Sequence, residues 1–387
     1  MNPTSARIPE PAPVLILKVG RYPLSHGVLG AIRSLGRAGV SVHAICDDHF
    51  VPYAFSRYLS GGFLLPETDY RDRGSDLLPH LVRLAGILQT KAVLLPTDDE
   101  AAIFTAEHAG DLRQHYYVPN VDPVLPRLLA SKYQLSRLCL QHGVPIPSTQ
   151  FVRSKRDVLA LADKVRYPIV VKNSEPWIRL RAAAVGATTI VESRDALLLL
   201  ASRWGESPRV IFQEYIPHEV AEDWVFHAYL DRASRPLVAF TGVKQRSWPP
   251  HAGVTAAAIA VPNEALVGLA ASFCQKIGYR GIVDMDWRYD RRDNQYKLVD
   301  CNPRLGANFA LFVTDSALDV VRAQYLDLTG QQVGASAQSF GRRLIVENLY
   351  LASSLFPATI RASKNPPPKC SCRAACPACR KPRTNAA

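Results

Sequence analysis

Residues 281–304 read GIVDMDWRYDRRDNQYKLVDCNPR, and the alternation within them decides the fold. Over residues 282–289 a strand period of two sets Asp284, Asp286 and Arg288 on one face and Val283, Met285, Trp287 and Tyr289 on the other. Residues 290–295 form a polar turn. Alternation resumes over 296–302, with Leu298, Asp300 and Asn302 sharing a face. A hairpin symmetric about Asp293 places Asp286 opposite Asp300 and Asp284 opposite Asn302. Directly opposed carboxylates destabilise a sheet unless something neutralises them. A divalent cation does so, and carboxylate plus amide oxygens are a hard donor set suited to Mg²⁺ or Mn²⁺. Mg²⁺ binds through one or two carboxylates and completes its shell with phosphate oxygens, so the spacing predicts a nucleotide partner. Arg304, permanently charged, follows close enough to grip a phosphate or acyl-phosphate oxygen. The competing reading is a solvated face on an edge hairpin.

Working outward, Lys172 ends the apolar run 168–172 (PIVVK), where a long cation reaches either a ligand or open solvent. Lys132 falls on the apolar stripe of a helix predicted over 125–142, beside Leu128, Leu129, Leu135 and Cys139. An inward lysine needs an anionic partner; the alternative is a stem that snorkels at the edge of the stripe. The run 210–215 ends in Gln213, Glu214, Tyr215, Ile216 and Pro217, a mixture that suits an adenine. Toward the N-terminus, the strand 14–19 (VLILKV), the helix 27–38 and the strand 41–46 form a β–loop–α–β unit that opens a doubly wound α/β domain. A helical stretch over 69–88 and a buried strand at 92–95 follow, ending at Pro96, Thr97, Asp98, Asp99 and Glu100. Loops at the carboxyl ends of such strands line a ligand crevice, but helix capping by Thr97 or Asp98 is the simpler role for these acids. The loop 20–27 lacks G-x-G-x-x-G, so this unit reads as a scaffold.

Taken in order, these pieces resemble the ATP-grasp superfamily, most of all its carbamoyl-phosphate-synthase-like, amino-acid-ligase branch, which includes D-aspartate ligases. The resemblance spans roughly residues 14–330 and is most specific at Gly278-Tyr279-Arg280-Gly281, Asp284-Met285-Asp286 and Asp300-Cys301-Asn302-Pro303-Arg304. It implies an α/β chain: a Rossmann-like pre-ATP-grasp domain at 14–122, then an ATP-grasp fold of two α+β subdomains at 123–335 with a hinge near 211–217. It further implies that Asp286 and Asp300 hold Mg²⁺ with Asn302 assisting, and that Arg304 stabilises the transferring phosphoryl group. Lys132 and Lys172 would bind phosphate, and Glu214, Tyr215 and Ile216 adenine. Asp223 would meet the ribose. The segment 241–255 would face the acyl substrate, with Lys244 and Arg246 as anion contacts. The expected activity is an ATP- and Mg²⁺-dependent carboxylate–amine ligase working through an acyl phosphate. Its substrate would be an amino acid or small peptide-like acid, and its partners small-molecule carboxylates and amines. A catalytically weak ATP-binding scaffold or regulatory protein is the alternative. The flap region 173–188, which holds a single glycine, Gly186, and the altered tail motivate that alternative; separately, the metal acids are aspartates where glutamates are common, and the shorter arm shifts the ion and its preference.

The 387-residue chain has a net charge of +12, but seven of those charges sit at 361–387, which carries no acid. The body has no basic stripe interleaved with aromatics, which argues against a nucleic-acid interface. Residues 1–13 lack the order of a signal peptide, and no apolar run is long enough to span a membrane. A cytoplasmic location is expected, and a homodimer is left open. Cys46, Cys139, Cys274 and Cys301 read as small buried hydrophobes. Cys370, Cys372, Cys376 and Cys379 crowd a basic, Pro-rich tail (361–387) that reads as disordered, with zinc as the alternative. Residues 336–360 form a weakly patterned C-terminal segment.

Overall fold

The apolar run at the N-terminus is the middle of a parallel sheet. In a computed structural model, which describes residues 11–20, 26–46, 50–65, 73–178, 184–186, 188–249 and 253–355, this sheet contains β1 (Val14–Leu17), β2 (Val42–Cys46), β3 (Gly61–Leu64), β4 (Ala92–Pro96) and β5 (Tyr116–Tyr117). Their order is β3-β2-β1-β4-β5, so β1 is covered on both sides and reads as a continuous apolar run. Strand β3 escapes the sequence reading because it is short and begins with two glycines.

The second sheet is antiparallel: β6 (Thr149–Val152), β7 (Ile169–Asn173), β8 (Thr189–Val191) and β9 (Val210–Glu214), in the order β6-β9-β7-β8. The third and largest contains β10 (Ala221–Leu230), β11 (Pro236–Trp248), β12 (Val254–Ala260), β13 (Gly281–Asp290), β14 (Gln295–Asn302) and β15 (Arg343–Ile345), in the order β14-β13-β10-β11-β12-β15. The C-terminal segment therefore supplies an edge strand, with Leu344 paired to Ala258.

Both faces of the large sheet are buried, which fixes where the site can lie. One face sets Phe226, Val283, Met285 and Trp287 against Leu266, Ala270 and Phe273 of the helix Glu264–Lys276. Trp287 is 1 % exposed; a side chain of its size buries on the order of 200 Å², an upper bound of about 5 kcal/mol. The other face sets Val225, Tyr229 and Phe240 into one core with Val28, Ile32 and Leu35 of the helix His26–Arg37 and with Phe309 and Phe312. The parallel sheet and the large sheet thus share a core.

Two details depart from the sequence reading. The helix expected over 125–142 is two helices, Leu125–Ala130 and Lys132–His142, broken at the extended residue Ser131, whose hydroxyl caps the second. Lys132 is therefore the first residue of a helix rather than a mid-helix residue. In the hairpin, Asp284 pairs with Asn302 and Asp286 with Asp300, as the alternation predicts, but the register then shifts and Trp287 pairs with Leu298. The extra residue, Val299, is a bulge that turns Leu298 into the core beside Met285 and Trp287, away from the face of Asp300.

Candidate active site

Asp286 and Asp300 face each other across β13 and β14, and each is met by an ammonium from a distant element. Lys244 of β11 lies 2.7 Å from Asp286 Oδ1, and Lys132 ion-pairs with Asp300 Oδ1. The backbone of Lys132 donates to Ser174 O at 2.9 Å, which ties the helix start to the end of β7. Lys172, in β7, donates to Gln213 Oε1 of β9 at 3.1 Å. Because β7 and β9 are neighbours with Lys172 opposite Ile211, this ammonium is carried toward the acids by the second sheet and not by the hairpin itself.

The charges explain the titration of the cluster. Burial raises Asp286, and the like charges of Asp284 and Asp300 add to it against the pull of Lys244, so its carboxyl sits above its usual range. Burial also works to raise Asp300, but Lys132, Lys172 and Arg304 outweigh it and hold the carboxyl below its usual range. Lys172 is pushed down to about 8 by burial and by neighbouring Lys132, despite the attraction of Asp300 and Asp286. These are the signs expected when carboxylates and ammoniums are crowded together into a partly desolvated place.

A second layer holds Arg304 and Asn302. Arg304 donates from Nη2 to Asn302 Oδ1 at 3.0 Å, from Nη1 to Leu305 O at 2.9 Å and from Nε to Asp99 Oδ1 at 3.2 Å. Asn302 Nδ2 in turn donates to Asp284 Oδ2 at 3.3 Å. Asp284 is 6 % exposed and stands 2.9 Å from Nε2 of the fully buried His227, without hydrogen-bond alignment. Burial would raise Asp284, but His227, Arg304 and Lys244 hold it below the usual range. Gly306 closes over this pair. A Cβ there would overlap the Asp284 carboxylate and the His227 ring, so the position requires glycine.

The residues at the end of β9 and just beyond it are knitted to the hairpin by arginines. Glu214 accepts from Arg292 at 2.5 Å and its backbone N donates to Ser148 O at 2.8 Å. Ile216 is buried and its carbonyl accepts from Arg288 at 3.1 Å. Arg288 also grips Asp223 with two bonds of 2.7 and 2.9 Å. Tyr215 follows Glu214 directly, just past the end of β9. Arg246 is not brought to the acids. A register shift between Lys244 and Arg246 separates these neighbours on β11, and Arg246 donates to Ser354 at 2.8 Å and stacks 4.8 Å over Tyr350 of the helix Glu347–Leu355. Of the two cations assigned to the substrate segment, Lys244 alone reaches the cluster.

Asp98 caps its helix as the sequence implies, accepting from Ala101 N at 2.8 Å, and also from Val19 and Gly20 N. Asp99 is different: its contact with Arg304 makes the N-terminal unit part of the site and not a bare scaffold. His227 and Asp99 were not legible as site residues. One is a lone polar residue in an apolar strand and the other a helix-start acid, and only strand pairing and domain packing reveal their neighbours. The flap residues 179–183 and 187, residues 250–252 of the substrate segment and the cysteine tail lie outside the described residues. Cys46, Cys139, Cys274 and Cys301 are buried free thiols.

Among the described residues no three carboxylate, histidine or cysteine side chains gather as a metal cage, and no helix is long and apolar enough to cross a membrane. Two opposed carboxylates, an amide oxygen and two ammoniums standing where positive charge is needed nevertheless fit Mg²⁺, which takes part of its shell from phosphate.

No family model matches the chain. It is 25 % identical over 314 residues to the D-aspartate ligase of Enterococcus faecium (strain Aus0004), covering 76 % of this chain and 72 % of that one. Among solved structures it is similar to the L-amino acid ligase from Bacillus licheniformis, with a TM-score of 0.61 at 14 % identity over 82 % of this chain and 74 % of that one. It is also similar to the biotin carboxylase domain of Hydrogenobacter thermophilus 2-oxoglutarate carboxylase, solved with MgADP and bicarbonate, with a TM-score of 0.60 at 15 % identity over 84 % of this chain and 71 % of that one. The fold, the paired acids and these relatives agree: the chain has an ATP-grasp fold and is similar to amino-acid ligases.

Proposed function

We propose that this enzyme uses ATP and Mg²⁺ to convert an amino-acid-like carboxylate to an acyl phosphate and passes the acyl group to an amine. One observation carries the residue roles: Asp286 and Asp300 are opposed on one hairpin, and Lys132, Lys172, Lys244 and Arg304 reach them from four different segments. The likeness to D-aspartate and L-amino acid ligases supports an amino acid as substrate.

Asp286 and Asp300 would hold Mg²⁺, with Asn302 at the edge of its shell, and the ion would supply charge neutralisation between the phosphates. Lys132 and Lys172 orient the nucleotide phosphates. Glu214, Tyr215 and Ile216 border the adenine, and Asp223, freed from Arg288, reaches the ribose. Lys244 draws the substrate carboxylate toward the γ-phosphorus. A carboxylate oxygen forms the new P–O bond as the bond from that phosphorus to the β–γ bridging oxygen breaks and ADP leaves. Arg304, fixed by Asn302 and Asp99, stabilises the charge spread over the transferring group. The amine then attacks the acyl carbon, its C–O bond to phosphate breaks, inorganic phosphate leaves and the amine's surplus proton passes to solvent.

The test is a matrix of amino acids supplied singly and in pairs with MgATP, reading ADP release and the mass of any amide. A pair that raises ADP release together with a new amide mass is expected. ADP release with no acyl transfer to any amine in the matrix would overturn the ligase assignment of the site.

A further inference from the structure

A cavity of about 40 Å³ lies where the N-terminal unit meets the ATP-grasp part. That is room for about three waters or one small ion. Of the residues assigned above to nucleotide and metal, only Arg304 shares its wall. Much of the wall is apolar, including Leu95, Pro119 and Leu305. Besides Arg304 and Tyr279, whose hydroxyl donates to Ile282 O at 2.7 Å, three polar side chains line it, and each has a buried atom without a hydrogen-bond partner among the described residues: the Thr105 hydroxyl, Arg280 Nε and the Gln324 amide nitrogen. Thr105 is 6 % and Gln324 2 % exposed.

Burying polar groups without partners is costly, so three at one cavity require an occupant. All three can donate. Arg280 spends Nη1 on Asn120 O at 2.7 Å and has no carboxylate partner among the described residues, so its charge is uncompensated. Donors, a guanidinium without a carboxylate partner and no acid on the wall among the described residues point to an anion site. Its size excludes a nucleotide and admits an ion of three or four heavy atoms.

We propose that this cavity binds a small carboxylate-type anion, held by Thr105, Arg280 and Gln324 across the junction of the two parts of the chain. Thr105 belongs to the helix Asp99–Glu107, Arg280 precedes β13 and Gln324 belongs to the helix Val320–Leu328, so the anion links three separate segments. The site stands on the cavity and its donors and does not depend on the ligase reading.

The probe is acetate, applied to the full chain without nucleotide or Mg²⁺ and compared with chloride at equal ionic strength. Acetate should raise the thermal midpoint saturably and bind with one-to-one stoichiometry by calorimetry. Gln324→Glu places a carboxylate on the same wall. It should keep or raise the midpoint and weaken acetate binding at least tenfold, because Arg280 then has an internal partner. Arg280→Met should also weaken acetate at least tenfold. If water alone fills the cavity, acetate will act no differently from chloride and Gln324→Glu will lower the midpoint; either result overturns the proposal. A response to inorganic phosphate alone, retained in Gln324→Glu, would put the anion among the nucleotide-site lysines and overturn it too.

Discussion

Replacing Asp300 by Asn tests the heart of the site, because the amide keeps the shape and removes one charge. In the structure Asp300 neutralises Lys132 directly and is the largest attraction acting on Lys172. Breaking a fully buried ion pair costs about 3–5 kcal/mol and an exposed one at most about 1. The Lys132 and Asp300 side chains are 11 % and 27 % exposed, so an intermediate loss of about 2 kcal/mol is expected, a fall of roughly 2–3 °C in melting temperature for a chain of this length. Two effects act on function. Half of the carboxylate pair available to Mg²⁺ disappears, and Lys172, already near 8, moves lower and is more often neutral at working pH. Loss of one such charge-stabilising group lowers turnover about 10²–10³-fold, or roughly 3–4 kcal/mol of barrier. The assay is MgATP-dependent ADP release with the best substrate pair, beside calorimetric titration of MgATP. A collapse of Mg²⁺-dependent binding with a folded protein is expected. Wild-type turnover in Asp300→Asn would refute the reasoning, as would a loss of turnover explained entirely by unfolding.

Lys172 makes stability depend on pH. Its folded value of about 8 lies below the ordinary 10.5, so between those values the unfolded chain binds more protons and stability rises with pH. The destabilisation is fully present below pH 8; because the ammonium is partly open to water, the gain by pH 10.5 should be about 1–2 kcal/mol, and Lys172→Met should erase it in denaturant titrations at pH 7.5 and 10. Gly306→Ala forces a methyl into Asp284 and His227, which should cost about 1–3 kcal/mol and lower turnover by displacing Asn302 and Arg304; unchanged kcat and melting temperature would contradict the packing. Arg246→Ala should leave turnover within about threefold, since its contacts are Ser354 and Tyr350; a loss like that of Asp300→Asn would return Arg246 to the site.

The hairpin was legible because its chemistry obeys a local rule. Alternation alone brought Asp286 against Asp300 and Asp284 against Asn302, since a strand has only two faces. The same rule misplaced Leu298, because a bulge inserts its residue without a mark in the sequence: Val299 is as strand-like as its neighbours. The apolar run of β1 and the strand carrying Lys172 were equally readable. The stripe on which Lys132 appeared was not, because Ser131 breaks the helix while the apolar pattern continues across the break. His227, Asp99, and the separation of Lys244 from Arg246 rest on contacts between segments far apart in sequence, where no periodicity reports.

The bond from Asp99 to Arg304 has a consequence for building hybrid enzymes. It makes the aim of the guanidinium proposed to stabilise the transferring group depend on an acid encoded some two hundred positions earlier, at the start of a helix in the N-terminal unit. A chimaera that joins the nucleotide-binding half of this chain to the N-terminal half of a relative can fold, bind ATP and still be slow, unless the donor brings a carboxylate to that helix start. Exchange of halves between such proteins is therefore constrained at this side chain as well as in the shared core, and restoring that acid is the first repair to make in an inactive hybrid whose core is intact.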